Sequence, residues 1–246
     1  MPEALSDGMQ ISFDDHGHGE LVLLFMPGWC GSRRVFDELA QRCAVRRRTL
    51  ALDWRRHGRS AKPAGDFSAE DLVKDALAVI EASSAQQVVP VSLAHAGWVA
   101  IELRRRLGGR VPKLVLLEWI MLDAPALFLG ALQALQDPAQ WEQTRQQLFS
   151  MWLHGLDIPA LTQYVREDMG SYPFEMWARG PRDQRGVCEV RKSASNSRQP
   201  RTFGGGVAFV CSARRSRIPR CAAVLQRGAS VVPRREARGA QPLPDV

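Results

Sequence analysis

Residues 88–98 read Val88-Val89-Pro90-Val91-Ser92-Leu93-Ala94-His95-Ala96-Gly97-Trp98. An apolar, β-branched run ends here in small residues, and apolar positions at helical spacing follow at once between charged ones. This pattern predicts a buried strand, a sharp turn and a helix in direct succession. An ordinary strand-to-helix junction of a parallel sheet is the alternative that the pattern leaves open.

The centre of the predicted turn is Ala94. In the nucleophile elbow of α/β hydrolases, the corresponding residue stands in a strained turn at the carboxyl edge of the sheet and carries the nucleophile. Such a turn needs small neighbours, which Ser92, Ala96 and Gly97 provide. Ala94 places a methyl group where covalent catalysis needs an oxygen or a sulfur atom. We therefore expect the turn to be built without a nucleophile.

Residues 21–26 form a continuous apolar run, which is typical of a strand buried on both faces. The loop that follows, residues 27–32, contains two glycines and Trp29. In α/β hydrolases a Gly-rich loop supplies one backbone N–H group to the oxyanion hole, and the residue after the elbow position supplies the other. Trp29 and His95 are therefore the candidate main-chain donors, with a core aromatic as the alternative for Trp29.

A third strand leads into residues 53–60, Asp53-Trp54-Arg55-Arg56-His57-Gly58-Arg59-Ser60. They match a D-x-R-G-x-G-x-S pattern that is common in this fold, with Arg56 in the place of the first glycine. For His57 we expect a role in shaping the loop rather than a role as a base. Ser68 then begins a helix as its N-cap, with acidic residues in the first turn.

Residues 113–120 predict another buried strand, which carries Glu118 near its end. A carboxylate at such a position is costly unless it is paired or hydrogen-bonded. We therefore expect Glu118 to have a partner, such as a histidine, and a solvent-facing strand end is the alternative. Asp123 is the second candidate acid.

Residues 124–177 show three helical patterns, at 125–135, 138–153 and 159–169, and no strand pattern. They are rich in aromatic residues. A cap of this kind laid over the elbow would form an apolar, aromatic-walled pocket suited to a flat ring. Trp152 is the candidate wall of that pocket, although an aromatic residue taken alone is more often part of the core than a ligand contact.

The length of 246 residues and the apolar content of 45% fit one α/β domain with a small cap. No apolar run approaches the roughly 20 residues that span a membrane, and the first 15 residues do not resemble a signal peptide. The five cysteines form no CxxC motif and are odd in number, which favours a reducing, cytoplasmic environment.

The charge is unevenly distributed along the chain. Residues 1–178 contain 18 basic and 22 acidic residues, whereas residues 179–246 contain 15 basic and 4 acidic ones. The last quarter is also rich in Arg, Ser, Gly and Pro and has little apolar periodicity, which predicts a disordered tail.

The chain resembles the cofactor-independent 2,4-dioxygenases of 3-hydroxy-4-quinolones and quinaldines, which have the α/β-hydrolase fold. Four segments carry the resemblance: Pro27-Gly28-Trp29-Cys30, Pro90-Val91-Ser92 with His95-Ala96-Gly97-Trp98, Glu118-Trp119-Ile120-Met121 and Phe149-Ser150-Met151-Trp152-Leu153-His154-Gly155. It covers roughly residues 10–180. The resemblance implies a core at 1–123, a helical cap at 124–178 and an aberrant tail at 179–246 that replaces part of the core.

The resemblance also implies a reaction. In the family a histidine, held by an Asp at the position of Glu118, removes the proton of the ring hydroxyl, and the anion reacts directly with O₂. Loss of carbon monoxide leaves an N-acylanthranilate, with no metal and no organic cofactor. By its position in the family's motifs, Glu118 is the catalytic carboxylate that holds the base. In the same way, Trp29 and His95 bind the anion, and Trp152 forms a wall of the ring site. The implied partners are a small aromatic N-heterocycle and O₂, with no nucleic acid and no membrane.

The family takes its base from a loop near the C-terminus, but no histidine follows His154 in this chain. A reading frame shifted from about residue 180 would explain together the missing histidine, the charge and the lost pattern. A genuine basic tail that binds nucleic acid by charge is the alternative. Two other functions stay open: an esterase, which Ala94 argues against, and a binder that holds an aromatic ligand without turnover.

Overall fold

The computed structural model describes residues 2–62, 65–118, 126–179 and 207–210. Among these residues, seven strands form one sheet. In chain order they are β1 (Glu3–Ser6), β2 (Met9–His16), β3 (Leu21–Met26), β4 (Arg48–Leu52), β5 (Gln87–Leu93), β6 (Leu114–Leu117) and β7 (Val207–Val210). Their spatial order is β1-β2-β4-β3-β5-β6-β7. The two pairings that involve β2 are antiparallel, and all the others are parallel.

The helices connect and cover these strands. They are α1 (Asp37–Ala44), α2 (Ala69–Ala82), α3 (Gly97–Leu107), α4 (Ala126–Ala134), α5 (Trp141–Leu153) and α6 (Pro159–Gln163). A π-helical turn at Tyr164–Asp168 and a 3₁₀ turn at Met169–Ser171 follow α6. Residues 174–179 are helical as well. We call residues 126–179 the cap segment. None of the described helices is both long enough and apolar enough to cross a bilayer.

Strand β3 shows why the sheet has helices on both faces. Leu23 and Phe25 belong to a small apolar cluster that includes α1 residues. Leu24 and Met26 face the larger core, which contains α2, α3 and residues of the cap segment. Because successive side chains of a strand point to opposite faces, a run of six apolar residues can be buried only between two layers. The prediction of a strand buried on both faces is confirmed.

The elbow is present as predicted. Strand β5 ends at Leu93, a single 3₁₀ turn spans Ala94–Ala96, and α3 begins at Gly97. The φ angle of Ala94 is +49°, in the left-handed region that side chains with a Cβ rarely adopt. The strained turn of a nucleophile elbow is therefore kept although its central side chain is a methyl group.

Two parts of the fold differ from the expectations. The N-terminal residues form the antiparallel β1–β2 hairpin, which the polar composition of this segment did not reveal. Within the predicted tail, Val207–Val210 pairs in parallel with β6, and Arg179 is buried at the end of the cap segment. These five residues therefore have a defined structure, which differs from the disordered tail predicted for residues 179–246. Asp123 and the remainder of the tail lie outside the described residues.

Candidate functional site

The loop after β3 lies directly against the elbow. A Cβ built on Gly28 would be 3.8 Å from Cβ of Ala94 and 3.7 Å from the carbonyl oxygen of Leu93. This close approach places the next residue, Trp29, beside His95, and their ring centroids are 5.2 Å apart at an interplanar angle of 71°. The two residues that we predicted as main-chain donors therefore lie together at the carboxyl edge of the sheet.

Trp29 is the centre of an aromatic cluster formed by loops from three strands and by the cap segment. Its ring stacks on Phe67 at 6.0 Å and meets His57 edge-on at 5.8 Å. His57 in turn lies 5.2 Å from Tyr172. We call Trp29, His57, Phe67, His95 and Tyr172 the Trp29 cluster. Flat, largely apolar walls of this kind suit an aromatic ring ligand.

Both histidines of the Trp29 cluster are neutral at physiological pH. Burial lowers the pKa of His57 to about 4 and that of His95 to about 3, because an imidazolium would lose its hydration there. Within the described part of the chain, Nε2 of His57 and both ring nitrogens of His95 are buried without a hydrogen-bond partner. Buried polar atoms of this kind are rare, and they often mark positions that a ligand satisfies.

Tyr164 in the π-helical turn fixes the loop that carries Trp29. Its hydroxyl accepts a hydrogen bond from the backbone N–H of Ser32 (3.0 Å) and donates one to the carbonyl of Ser32 (3.2 Å). Burial raises the pKa of Tyr164, so the phenol keeps the proton that it donates. The hydroxyl of Ser32 also donates to the carboxylate of Asp168 (2.7 Å). A Cβ on Gly31 would lie 2.5 Å from the Tyr164 oxygen, so a larger residue there would displace this hydroxyl.

The cap segment also contacts the cluster itself. The indole N–H of Trp29 donates to the carbonyl of Met176 at 2.6 Å, and the backbone N–H of Gly58 donates to the hydroxyl of Tyr172 at 2.9 Å. The same segment therefore sets the rotamer of Trp29 and the course of the loop after β4.

Glu118 lies at the same edge of the sheet as Ala94. Leu93 pairs with Leu117 in the parallel register, so Ala94 and Glu118 are the next residues of neighbouring strands. The two residues have nearly the same backbone angle, with φ of +49° and +50°. The side chain of Glu118 is exposed, and among the described residues no hydrogen bond or ion pair involves it. The partner that we expect for Glu118 is not among these residues.

Trp152 lies on α5, where 39% of its surface is exposed and its ring is 6.0 Å from Phe149. It is thus placed in the cap segment as expected, but its described ring contact is with Phe149 rather than with Trp29. Ser92, the serine nearest the elbow, is fully buried in β5, and its hydroxyl donates to the carbonyl of Val115 at 3.3 Å. It is not available as a nucleophile.

A cavity of about 380 Å³ is lined by Tyr172 and Met176, and it lies between the cap segment and the loops after β3 and β4. Its other lining residues are mostly charged or small: Arg34, Arg56, Gly58, Lys62, Glu167, Asp168, Ser171 and Pro173. No group of three His, Cys, Asp or Glu side chains suited to a metal ion occurs among the described residues.

Sequence reasoning did not place His57, Phe67, Tyr164 and Tyr172 at this site. A signal for His57 was its position just after a strand, at the carboxyl edge that also carries the elbow. The prediction that His57 shapes its loop agrees with the structure, since its Nδ1 lies 2.9 Å from the carbonyl oxygen of Arg55. The two tyrosines come from a segment more than 100 residues further along the chain, and no local pattern points to their partners.

Residues 22–178 match a family model described as the alpha/beta hydrolase fold. The chain is 37% identical over 178 residues to a 2-heptyl-3-hydroxy-4(1H)-quinolone dioxygenase of Mycobacteroides abscessus, which is 72% of this chain and 66% of the relative. It is 30% identical over 179 residues to a 1H-3-hydroxy-4-oxoquinoline 2,4-dioxygenase of Pseudomonas putida, which is 72% of this chain and 67% of that protein. The aligned part thus spans about two thirds of the length of these curated relatives.

A solved structure gives the same picture. It is described as showing the recognition and ring cleavage of the Pseudomonas quinolone signal by a protein in complex with its product. The similarity has a TM-score of 0.77 and 32% sequence identity, and it covers 87% of this chain and 82% of that one.

Proposed function

Because the chain belongs to the alpha/beta hydrolase fold family and, within it, to the 3-hydroxy-4-quinolone 2,4-dioxygenases, we propose that its site is built to bind a 3-hydroxy-4(1H)-quinolone for ring cleavage. In that reaction O₂ opens the ring without a metal or an organic cofactor, and the products are an N-acylanthranilate and carbon monoxide. The observation that carries the proposal is an intact elbow with a methyl group at its centre, set against the aromatic walls of the Trp29 cluster.

This chemistry needs three things from the protein: a base for the ring hydroxyl, donors for the anion and a site that excludes water. The main-chain N–H groups of Trp29 and His95 are the proposed donors. Trp152 is the proposed wall of the ring site, and Glu118 is the proposed acid that holds the base. No nucleophile is required, which makes Ala94 compatible with the reaction.

The C-terminal histidine that serves as the base in the family has no counterpart in residues 155–246 of this sequence. We therefore propose that this chain binds the quinolone but does not turn it over. A shifted reading frame from about residue 180 is our explanation, and the family match, which ends at residue 178, supports it. In the same proposal, residues 1–123 are the core, 124–178 the cap and 179–246 the altered tail. The cytoplasmic location stays a prediction.

Two measurements on the purified chain test the function. Titration of 2-heptyl-3-hydroxy-4(1H)-quinolone, followed by tryptophan fluorescence and by calorimetry, should show saturable binding, and the gas phase should contain no carbon monoxide. Replacing Trp29 by Ala should weaken the binding strongly, whereas replacing the half-buried Trp141, which has no ring contact with the Trp29 cluster, by Phe should leave it unchanged. The absence of saturable binding would reject the proposal.

The esterase alternative and the reading frame have their own tests. An activated-serine probe should leave the chain unlabelled, and labelling at Ser92 would favour an esterase instead. Resequencing the coding DNA across codons 170–190 should show a one-base difference that restores a C-terminal histidine segment. A protein made from the restored frame should release carbon monoxide from the same quinolone. If the frame stands as given, the shifted-frame explanation fails, and a protein whose own function is to bind the aromatic ligand without turnover is the hypothesis that replaces it.

A further inference from the structure

The imidazole of His57 is held by a continuous set of hydrogen bonds that begins on α2. The buried carboxylate of Asp75 accepts the backbone N–H of Arg55 at 3.1 Å and its guanidinium at 2.6 Å. The carbonyl of Arg55 then faces Nδ1 of His57 at 2.9 Å. The backbone N–H of His57 donates to the carbonyl of Trp54 at 2.9 Å. These hydrogen bonds fix both the position and the ring orientation of His57 in the unliganded protein.

This arrangement also settles the tautomer. A carbonyl oxygen only accepts, so Nδ1 of His57 must carry the proton, and in the neutral ring Nε2 is then an acceptor. Burial, together with the charges of Arg56, Arg179 and Lys62, lowers the pKa of His57. The charges that act on the ring are those of Arg56 and Lys62 from the same loop and of Arg179 from the cap segment, and the neighbouring titratable groups are His95 and Tyr172. None of them is a carboxylate that would favour protonation.

Nε2 of His57 is therefore a hydrogen-bond acceptor that is held in a fixed orientation within the Trp29 cluster. The side chain is fully buried, and within the described residues Nε2 has no donor. The rings of Trp29, Phe67 and Tyr172 lie next to the imidazole of His57. Leaving such an acceptor unsatisfied costs stability, and a ligand that donates a hydrogen bond to Nε2 would remove this cost.

We propose that Nε2 of His57 accepts a hydrogen bond from a donor on the bound heterocycle, either its 3-hydroxyl or its ring N–H. The inference rests on the proposed function, because it takes the quinolone as the ligand of the Trp29 cluster. It assigns His57 as a substrate-binding residue in addition to its role in shaping the loop. Recognition by His57 would select heterocycles that present a donor at this position.

Two substitutions separate the two nitrogens of the ring. In His57→Asn the amide nitrogen takes the place of Nδ1 and keeps the bond to Arg55, but the acceptor at Nε2 is lost. In His57→Gln the longer side chain returns an acceptor oxygen near the position of Nε2. We expect His57→Asn to weaken binding of 2-heptyl-3-hydroxy-4(1H)-quinolone about five- to tenfold, as the loss of one hydrogen bond does. His57→Gln should recover most of the affinity.

Two ligand analogues identify the donor. If the 3-hydroxyl is the donor, the quinolone without this hydroxyl should bind the wild type and His57→Asn equally. If the ring N–H is the donor, the N-methylated quinolone should do so instead. In the wild type labelled with ¹⁵N-histidine, the Nε2 signal of His57 should shift on binding, while the signals of His16 and His18 should not.

The failures of the two proposals are distinguishable. A wild type that binds no quinolone contradicts the proposed function itself. A wild type that binds, together with His57→Asn of equal affinity and an unshifted Nε2 signal, overturns the assignment of His57 alone. Comparison of the urea unfolding of the two variants excludes a folding defect as the cause of weaker binding.

Discussion

Four residues with side chains hold left-handed backbone conformations at the carboxyl edge of the sheet. They are Cys30, Arg56, Ala94 and Glu118, with φ of +49°, +64°, +49° and +50°. Each conformation costs about 1 kcal/mol or more for a residue with a Cβ. At Ala94 the cost is tied to the elbow, which brings Trp29 and His95 together. Arg56 stands where the D-x-R-G-x-G-x-S pattern has glycine. A glycine substitution there can therefore remove the backbone strain of this loop without changing the elbow.

We expect Arg56→Gly to raise the free energy of unfolding by about 1 kcal/mol, because glycine adopts positive φ without a steric penalty. Urea denaturation measures the change. Arg56→Ala is the matched control, since it also removes the guanidinium and its bond to the carbonyl of Gly65 but keeps the Cβ. Equal stabilities of the two variants would contradict the explanation by backbone strain.

The two buried histidines predict an acid sensitivity. An unfolded histidine titrates near pH 6.5, whereas the pKa of His57 in the fold is about 4. Because the folded value is the lower one, the stabilisation is fully present above pH 6.5 and is lost as the pH falls towards 4. Between pH 7.5 and 5, His57 alone should cost about 2 kcal/mol of unfolding free energy. His95, with a pKa of about 3, acts in the same direction.

Urea unfolding of the wild type and of His57→Gln at pH 7.5 and at pH 5 tests this linkage. The variant cannot titrate at residue 57, so its stability should fall by about 2 kcal/mol less than that of the wild type over the same interval. Parallel losses in the two proteins would show that His57 is not the group that titrates.

At the level of elements, the cap segment acts as a clamp on the loop after β3. Tyr164 and Ser32 are 132 residues apart, and their two hydrogen bonds join the π-helical turn to the loop that carries Trp29. The bond from the Trp29 indole to the Met176 carbonyl adds a second point of attachment. Single π-helical turns are rare, and they are frequently found at functional sites. Here the turn is the part of the segment that contributes Tyr164.

Removing this clamp should be measurable. We expect Tyr164→Phe to lower the unfolding free energy by about 1–3 kcal/mol, because the backbone N–H of Ser32 stays buried and loses its acceptor. Amide hydrogen exchange at Ser32 should become faster in the variant. The control is Ser150→Ala, which removes an exposed hydrogen bond to the Gln146 carbonyl in the same segment and should change stability by less than about 0.5 kcal/mol. An unchanged exchange rate at Ser32 would argue against the clamp.

The elements that could be predicted from the sequence are those with a local cause. Strand β3 was predicted with its observed bounds, and the elbow was predicted from the small residues around Ala94. The helix after Ser68 has the expected N-cap, with a reciprocal capping box between Ser68 and Asp71. In each case the signal lies within a few residues.

The other parts depend on residues that meet only in the folded chain. The Trp29 cluster joins loops after β3, β4 and β5 with Tyr172 of the cap segment, and nothing near Tyr172 in the sequence indicates Gly58 as its partner. Nδ1 of His57 donates to the carbonyl of Arg55, whose orientation depends on Asp75 of α2, and Nε2 is therefore left as an acceptor. Such long-range hydrogen bonds cannot be read from hydrophobic periodicity.

At the scale of the whole molecule, the chain changes character near residue 179, from a net charge of −4 over residues 1–178 to +11 over residues 179–246. The described part nevertheless includes one strand from the basic region. Strand β7 pairs with β6 over four residues, from Leu114 with Val207 to Leu117 with Val210. Without β7, β6 would be an edge strand with unpaired N–H and C=O groups, and such edges promote self-association.

Two truncations decide whether this region contributes to the fold. A chain that ends at residue 210 keeps β7, and a chain that ends at residue 179 removes it. We expect the shorter one to lose about 2 kcal/mol of unfolding free energy relative to the longer one, since each net backbone hydrogen bond contributes about 0.5–1.5 kcal/mol. It should also self-associate in size-exclusion chromatography. If the two truncated chains have the same unfolding free energy and are equally monodisperse, the pairing of β7 does not stabilise the fold. Residues 1–179 then form the stable unit that positions the Trp29 cluster.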